Sequence, residues 1–246
     1  MNNFRLKLCF DGSNYHGFQI QPNASTIQGT LNSVLSSITG EYISITGCSR
    51  TDAGVHAKEY YANFKSNCAI PPENLKRALN SLLPSDIAVL DCQIVDDSFN
   101  SRFDVAKKEY VYRFFNGSVK NPFLKSTALF YPYKLDEKIM DEACKHYIGE
   151  HDFRAFMAQG SDVTDTVRTI YSSKVIRNGD IVEFYVEGNG FLYNMVRIMA
   201  GTLLYINEGK ISLENLDKII LSQDRKNTGK TLPPHALFLN KVTLKA

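Results

Sequence analysis

The order of strand-like and helical segments most constrains what this chain can fold into. Phe4, Leu6 and Leu8 alternate with polar residues, the pattern of a half-buried strand. Ile27 and Leu31 begin a run of apolar residues at helical spacing. Read in this way, residues 4–95 predict the order strand, helix, strand, strand, helix, strand. The predicted segments are 4–10, 27–38, 42–46, 55–64, 72–83 and 87–95.

The second half of the chain repeats this order, with one additional helix. The hairpin is predicted by Asn178-Gly179, a dipeptide that favours two-residue turns. The predicted segments are 107–116, 136–148, 167–177, 180–187, 191–207, 212–222 and 236–244. We therefore predict an α+β fold with two ferredoxin-like β-α-β-β-α-β halves, residues 1–104 and 105–246. Their mostly antiparallel sheets are expected to lie side by side, with a catalytic groove between the halves.

Composition and missing motifs limit the possible classes of function. The net charge is only +2, so any basic surface must be a local patch. The five cysteines contain no C-x-x-C pair, which favours the reducing cytoplasm over a zinc site or a disulfide framework. The most apolar long segment, residues 191–206, is shorter than the roughly 20 residues of a membrane span. We therefore expect no membrane span. Because no metal-binding or phosphate-binding motif occurs, we also expect no metal and no nucleotide cofactor.

The loop Gly47-Cys-Ser-Arg-Thr-Asp-Ala-Gly-Val-His-Ala57 places charged residues between two predicted strands. Residues two apart in an extended segment point the same way, so Arg50 and Asp52 can share a face. One interpretation is structural: Asp52 begins a turn, and Arg50 is a solvated surface charge. The other is functional, since binding and catalytic residues collect in such loops.

Two further segments carry candidate site residues. The predicted helix from Phe191 is apolar nearly all round, so Arg197 on it would be costly to bury without a carboxylate. Its side chain can reach the surface, pair with Glu183 or Glu187, or meet Asp52 across the groove between the halves.

Tyr110 and Tyr112 lie on a predicted strand among basic residues. Strand tyrosines usually pack in the core or across strands. The mixture of aromatic and basic residues also suits stacking on a nucleic-acid base.

The motifs together resemble the signature of the tRNA pseudouridine synthase A family. The run from Arg50 to Ala57 (Arg-Thr-Asp-Ala-Gly-Val-His-Ala) is the most specific part of the resemblance. Further similar segments follow in the family's order: Tyr15 to Gln19, Thr26 to Gly29, Lys108 to Tyr112, Gly149 to Phe153, Val167 to Ile170 and Asn194 to Arg197. The chain departs from the family's pattern at Phe18, where a tryptophan is frequent, and near Pro234.

The resemblance implies an isomerase that converts uridine to pseudouridine in tRNA and needs no cofactor. It implies that Asp52 is the catalytic carboxylate, oriented by Arg197, and that Tyr110 packs against the uracil. Arg50 would occupy the place of the flipped-out nucleotide or bind a phosphate. The family further implies a homodimer that binds the anticodon arm and modifies uridines at positions 38 to 40.

Two alternatives remain open at this point. One is the same chemistry on another RNA, such as ribosomal RNA. The other is a catalytically silent RNA-binding protein. The combination of Arg50, Asp52, Tyr110 and Arg197 favours an enzyme over the silent protein.

Overall fold

The computed structural model describes residues 1–161 and 163–245. The strands are β1 (Asn2–Phe10), β2 (Thr46–Gly47), β3 (His56–Ser66), β4 (Ile87–Val95), β5 (Val105–Phe115), β6 (Leu129–Phe130), β7 (Gly149–Asp152), β8 (Val167–Asn178), β9 (Ile181–Gly188) and β10 (Leu237–Leu244). The helices are α1 (Ile27–Thr39), α2 (Pro72–Leu82), α3 (Glu137–Cys144), α4 (Met195–Asn207) and α5 (Leu216–Ser222). The predicted α+β class with mostly antiparallel strands is confirmed.

The chain divides into two compact units. The first contains residues 1–106 and the chain from Phe238 onward, and the second contains Lys107–Leu237. The division predicted from sequence differs from these units in two ways. It puts the boundary between residues 104 and 105, and it assigns the last strand to the second half. Most of β10 belongs to the first unit, where Phe238 and Leu239 pair in parallel with His56 and Ala57 of β3.

In the first unit, β1 pairs antiparallel with both β3 and β4. The alternation predicted for β1 is confirmed, since Phe4, Leu6 and Leu8 are completely buried. Phe4 stacks on Phe64 of β3 at a ring distance of 5.2 Å. Ile27, Leu31 and Leu35 of α1 are buried as well, as are Leu75 and Leu79 of α2, so one core lies between the helices and the sheet.

One local prediction in the first unit needs correction. Of the predicted strand 42–46, only Thr46 lies in a strand, the two-residue β2. Polar side chains of α1 accept hydrogen bonds from the backbone of residues 42–46. Ile43 N–H donates to Ser36 Oγ, and Ile45 N–H donates to Asn32 Oδ1, both at 3.0 Å. These bonds replace the ladder bonds of a strand.

In the second unit, the strand order is β5-β9-β8-β7, all antiparallel, and β6 pairs in parallel with β5. The predicted hairpin is confirmed: Asn178 faces Ile181, and Gly179 has a φ of +59°. Helix α4 begins at Met195, four residues after the predicted start. Asn194 precedes it with a left-handed φ of +60°, a conformation that asparagine tolerates better than most residues.

Helix α4 is buried nearly all round, as its sequence predicts. Within the described part of the chain, no helix is long and apolar enough to cross a bilayer.

Candidate active site

The loop between β2 and β3 carries Arg50 and Asp52 and contains a tight turn. Val55 N–H donates to the Asp52 carbonyl at 3.2 Å, and Gly54 has a φ of +77°. Gly54 N–H donates to the Tyr15 carbonyl at 3.1 Å, which joins the turn to the segment after β1. The Asp52 side chain is therefore attached to a defined backbone rather than to a free loop.

Residues around Gly17 form a close-fitting support beneath this loop. Phe18 N–H donates to the Thr51 carbonyl at 3.2 Å. Gly17 has a φ of +88°, and a Cβ at this position would lie 2.5 Å from the Thr51 carbonyl oxygen. The loop thus approaches this backbone closely enough that only glycine fits.

Aromatic side chains support the start of the loop. The Phe18 ring stacks on the Tyr60 ring at 4.4 Å. The Tyr60 hydroxyl accepts a hydrogen bond from Ser49 N–H at 3.2 Å and donates to the Ser49 carbonyl. A Cβ on Gly47 would lie 2.2 Å from that hydroxyl. The start of the loop therefore depends on glycine at position 47 and on the buried Tyr60 of β3.

Burial alternates over the three residues from Arg50 to Asp52. Arg50 is exposed, Thr51 is buried, and Asp52 is half-buried. This alternation is consistent with an extended stretch in which Arg50 and Asp52 point to the same side. The carboxylate is positioned where it is partly shielded from water and still accessible.

His56 lies at the end of the same motif and is part of the packing. Its ring is buried and stacks on Phe238 at 4.6 Å. Its Nδ1 lies 3.1 Å from Gly12 N and 3.0 Å from Asp11 Oδ1. Burial raises the pKa of Asp11, but hydrogen bonds from Ser13 and the charge of His56 outweigh it, so this pKa is lower than usual.

In the second unit, Tyr110 is buried on β5, opposite Val186 of β9. The Phe191 ring contacts it edge-on, with ring centres 5.1 Å apart. Its neighbour Tyr112 is a core residue whose hydroxyl donates to the Pro233 carbonyl at 3.0 Å. Burial raises the pKa of Tyr112 far above its usual value, against the opposing charge of Arg197. Tyr112 is thus a neutral structural residue close to Arg197.

Arg197 is half-buried on α4, and its guanidinium is fixed from two directions. Its Nε donates to the Leu232 carbonyl at 2.6 Å, and its Nη1 donates to Asn194 Oδ1. The two acids considered as structural partners have other cations: Glu183 binds Arg113 at 2.5 Å, and Glu187 binds Lys107 at 3.3 Å.

Comparison with known proteins assigns the chain to a family. The sequence profile of the tRNA pseudouridine synthase family matches residues 9–104 and 143–244, which include Asp52 and Arg197. The chain belongs to the tRNA pseudouridine synthase family. The predicted resemblance to this family is confirmed.

Curated relatives of this pseudouridine synthase match along nearly their whole length. The tRNA pseudouridine synthase A of a Thermoanaerobacter species is 43% identical over 98% of this chain and 99% of the relative. That of Clostridium acetobutylicum is 45% identical over the same shares. The tRNA pseudouridine synthase A 2 of Clostridium perfringens is 42% identical, again over 98% and 99%.

Several basic residues of this pseudouridine synthase have protein partners. Besides Arg113 and Lys107, Arg154 lies 3.7 Å from Asp152. Lys58 lies over the Phe238 ring at 5.7 Å, and Arg102 lies over the Phe103 ring at 5.5 Å. Within the described residues, no group of three or more His, Cys, Asp or Glu side chains is arranged to bind a metal ion.

Sequence reasoning missed the support for Arg197 in this synthase. The Leu232 carbonyl contacts Arg197 from 35 positions further along the chain, and a backbone carbonyl has no signature in the sequence. The role of Gly17 carried a signal, since it lies in the Tyr15 to Gln19 motif. That motif did not show that Gly17 contacts the Asp52 loop.

We expect Gly17→Ala to destabilise the protein and lower its activity. The left-handed φ and the overlap with the Thr51 carbonyl together cost about 3 kcal/mol of unfolding free energy. Urea denaturation measures this loss. Gly40→Ala is the matched control, because its φ is +71° and nothing lies within 4 Å of its Cβ position. The control should lose only about 1 kcal/mol. Equal losses would contradict the close fit between Gly17 and the loop.

Proposed function

We propose that this pseudouridine synthase converts uridine to pseudouridine in the anticodon arm of tRNA, at positions 38 to 40. Asp52 is the catalytic carboxylate. Arg197 orients it, Tyr110 packs against the uracil, and Arg50 fills the place of the flipped-out nucleotide or binds a phosphate. The observation that carries the proposal is the Asp52 loop itself, a half-buried carboxylate on a supported turn within the matched family region.

The reaction requires a bond to break and another to form without loss of the base. The bond between C1′ of the ribose and N1 of the uracil breaks, the uracil rotates, and its C5 bonds to C1′. C5 then loses its proton and N1 takes one up, so the product is an isomer of the substrate. Breaking the first bond builds positive charge on the sugar, which a carboxylate stabilises or traps. An ordinary aspartate has a pKa near about 3.9, so it is ionised at neutral pH without a general base.

The surroundings of Tyr110 suit it to retain the freed uracil. The ring is fixed by the β5–β9 pairing and by its contact with Phe191, so it is a rigid apolar surface. Rigid packing against the base excludes water, and water would turn isomerisation into hydrolysis. Extrusion of the nucleotide from its stack costs a few kcal/mol. Contacts such as those proposed for Arg50 offset this cost.

Formation of pseudouridine by the purified protein in EDTA tests the proposal. We expect unmodified tRNA to be converted at positions 38 to 40, because the proposed chemistry uses only side chains of the chain. The matched control is a tRNA whose uridines at these positions are replaced by cytidine, and it should yield no product. Product that requires an added metal ion, or no product with the first tRNA, would contradict the proposal.

We also propose that the enzyme acts in the cytoplasm as a homodimer. The modest net charge of +2 favours an RNA-binding surface to which two subunits contribute. All five cysteines are free thiols, which is consistent with a reducing compartment. Light scattering during gel filtration should give twice the chain mass of 27.7 kDa. A single-chain mass at micromolar concentration would contradict the dimer.

A further inference from the structure

Arg225 is the first residue of a segment that ends beside Arg197. This segment comprises residues 225–232 and is called the 225–232 segment. Arg225 Nη1 donates to Thr228 Oγ1 at 2.7 Å and to the Gly229 carbonyl at 2.9 Å. Its Nη2 donates to Thr231 Oγ1 at 3.0 Å. One half-buried guanidinium therefore cross-links three positions of an otherwise irregular segment.

The middle of the 225–232 segment packs against the backbone of α4. A Cβ on Gly201 would lie 1.9 Å from the Lys230 carbonyl oxygen, and one on Gly229 would lie 2.3 Å from the Gly201 carbonyl carbon. Gly229 N–H also donates to Thr202 Oγ1 at 2.9 Å. The two glycines allow backbone to contact backbone, so the segment has little freedom to slide along the helix.

The end of the segment provides one of the two contacts that fix the direction of Arg197. Leu232 N–H donates to the Arg197 carbonyl at 3.3 Å, and Arg197 Nε donates to the Leu232 carbonyl at 2.6 Å. Leu232 itself is completely buried. A free arginine side chain carries about 2 kcal/mol of rotamer entropy, and such a fixed acceptor restricts that freedom before the substrate binds.

We propose that Arg225 is a positioning residue for the isomerisation. It fixes the 225–232 segment so that the Leu232 carbonyl directs the guanidinium of Arg197. This inference rests on the proposed catalytic role of Arg197. It assigns to Arg225 no contact with the RNA, and its effect on the reaction passes through Arg197 alone.

Arg225→Met tests the proposal against Arg177→Met as the matched control. Arg177 is also half-buried in the second unit and donates to the Leu135 carbonyl at 2.7 Å and to Glu137 at 2.8 Å. Both variants lose similar hydrogen bonds and should lose stability. We expect kcat per folded molecule to fall roughly 10- to 100-fold in Arg225→Met and less than about 2-fold in Arg177→Met, with KM nearly unchanged in both.

A double-mutant cycle separates positioning from general stability. If Arg225 acts through Arg197, then Arg225→Met should lower kcat no further in an Arg197→Met background. Arg177→Met should keep the same small effect in both backgrounds. An undiminished effect of Arg225→Met in the Arg197→Met background would overturn the proposal. If Arg225→Met fails to fold, Thr231→Val removes one of the three acceptors, and its smaller loss of kcat should disappear in the same background.

The failure of this inference can be told apart from the failure of the proposed function. If Arg197→Met lowers kcat but Arg225→Met behaves like Arg177→Met, only the inference is wrong. If Arg197→Met leaves kcat unchanged, the inference and the proposed role of Arg197 are both wrong, while the proposed reaction still stands. If the wild-type protein forms no pseudouridine, the proposed function itself is wrong. If Arg225 contacts a phosphate, Arg225→Met would instead weaken tRNA binding and lower the salt slope of that binding by about one. This result would also overturn the proposal.

Discussion

Replacement of Asp52 with alanine is expected to abolish turnover while the protein stays folded and binds tRNA. The loss of kcat should be on the order of 10⁴-fold or more, as for other residues that act directly on the reacting bond. The turn should survive, because Val55 N–H donates to the backbone carbonyl of residue 52 and not to its side chain. Affinity for tRNA should change little, because most of it comes from contacts with phosphates.

Single-turnover kinetics with excess enzyme measure this loss of Asp52 without interference from product release. Asp97→Ala is the matched control, since Asp97 is an exposed acid of the same unit whose ion pair with Lys65 lies on the surface. The control should retain the wild-type rate. Residual activity of Asp52→Ala within about 10-fold of wild type would show that another group carries the chemistry.

Arg197→Met is expected to have the second-largest effect and to lower both activity and stability. The substitution keeps an unbranched side chain but removes the donors to Leu232 and Asn194. The buried Leu232 carbonyl then lacks that donor, which should cost about 1–3 kcal/mol of unfolding free energy. An aspartate without its orienting guanidinium should react on the order of 100-fold more slowly.

Urea denaturation and kcat, measured on the same preparations, separate the two effects of Arg197→Met. Arg177→Met is again the control, because it should lose stability without a comparable loss of kcat. Intact activity in Arg197→Met would mean that Arg197 is only a structural residue of α4. The pairing of Arg197 with Asp52 stays a prediction, and wild-type kcat in this variant would contradict it.

Local periodicity predicted most strands and helices of the two units because burial on one face imposes a regular repeat. Strand β4 follows its predicted bounds of 87–95, and β1 shows the predicted alternation. Predictions failed where a side chain from elsewhere replaced a local bond. The region 42–46 has strand-like residues, but α1 supplies acceptors for its backbone through Ser36 and Asn32. Such competition depends on tertiary contacts and leaves no periodic signal.

The candidate site could be predicted from sequence only as a set of residue types. The motif around Arg50 and Asp52 identified the loop. The contacts that fix its geometry come from the backbone of Gly17 and Phe18, distant in sequence. In the same way, the sequence left Glu183 and Glu187 open as partners of Arg197, whereas the structure gives both acids other cations. The catalytic roles of Asp52, Arg197, Tyr110 and Arg50 remain predictions.

Mapping of pseudouridine in cells that lack this protein tests the central claim most directly. The account predicts that tRNA positions 38 to 40 lose their modification and that the wild-type protein restores it. The Asp52→Ala variant should be present at a similar level and should restore nothing. If the tRNA positions stay modified while a ribosomal RNA uridine loses its mark, the proposed substrate is wrong. If Asp52→Ala restores the tRNA modification, the proposed catalytic residue is wrong.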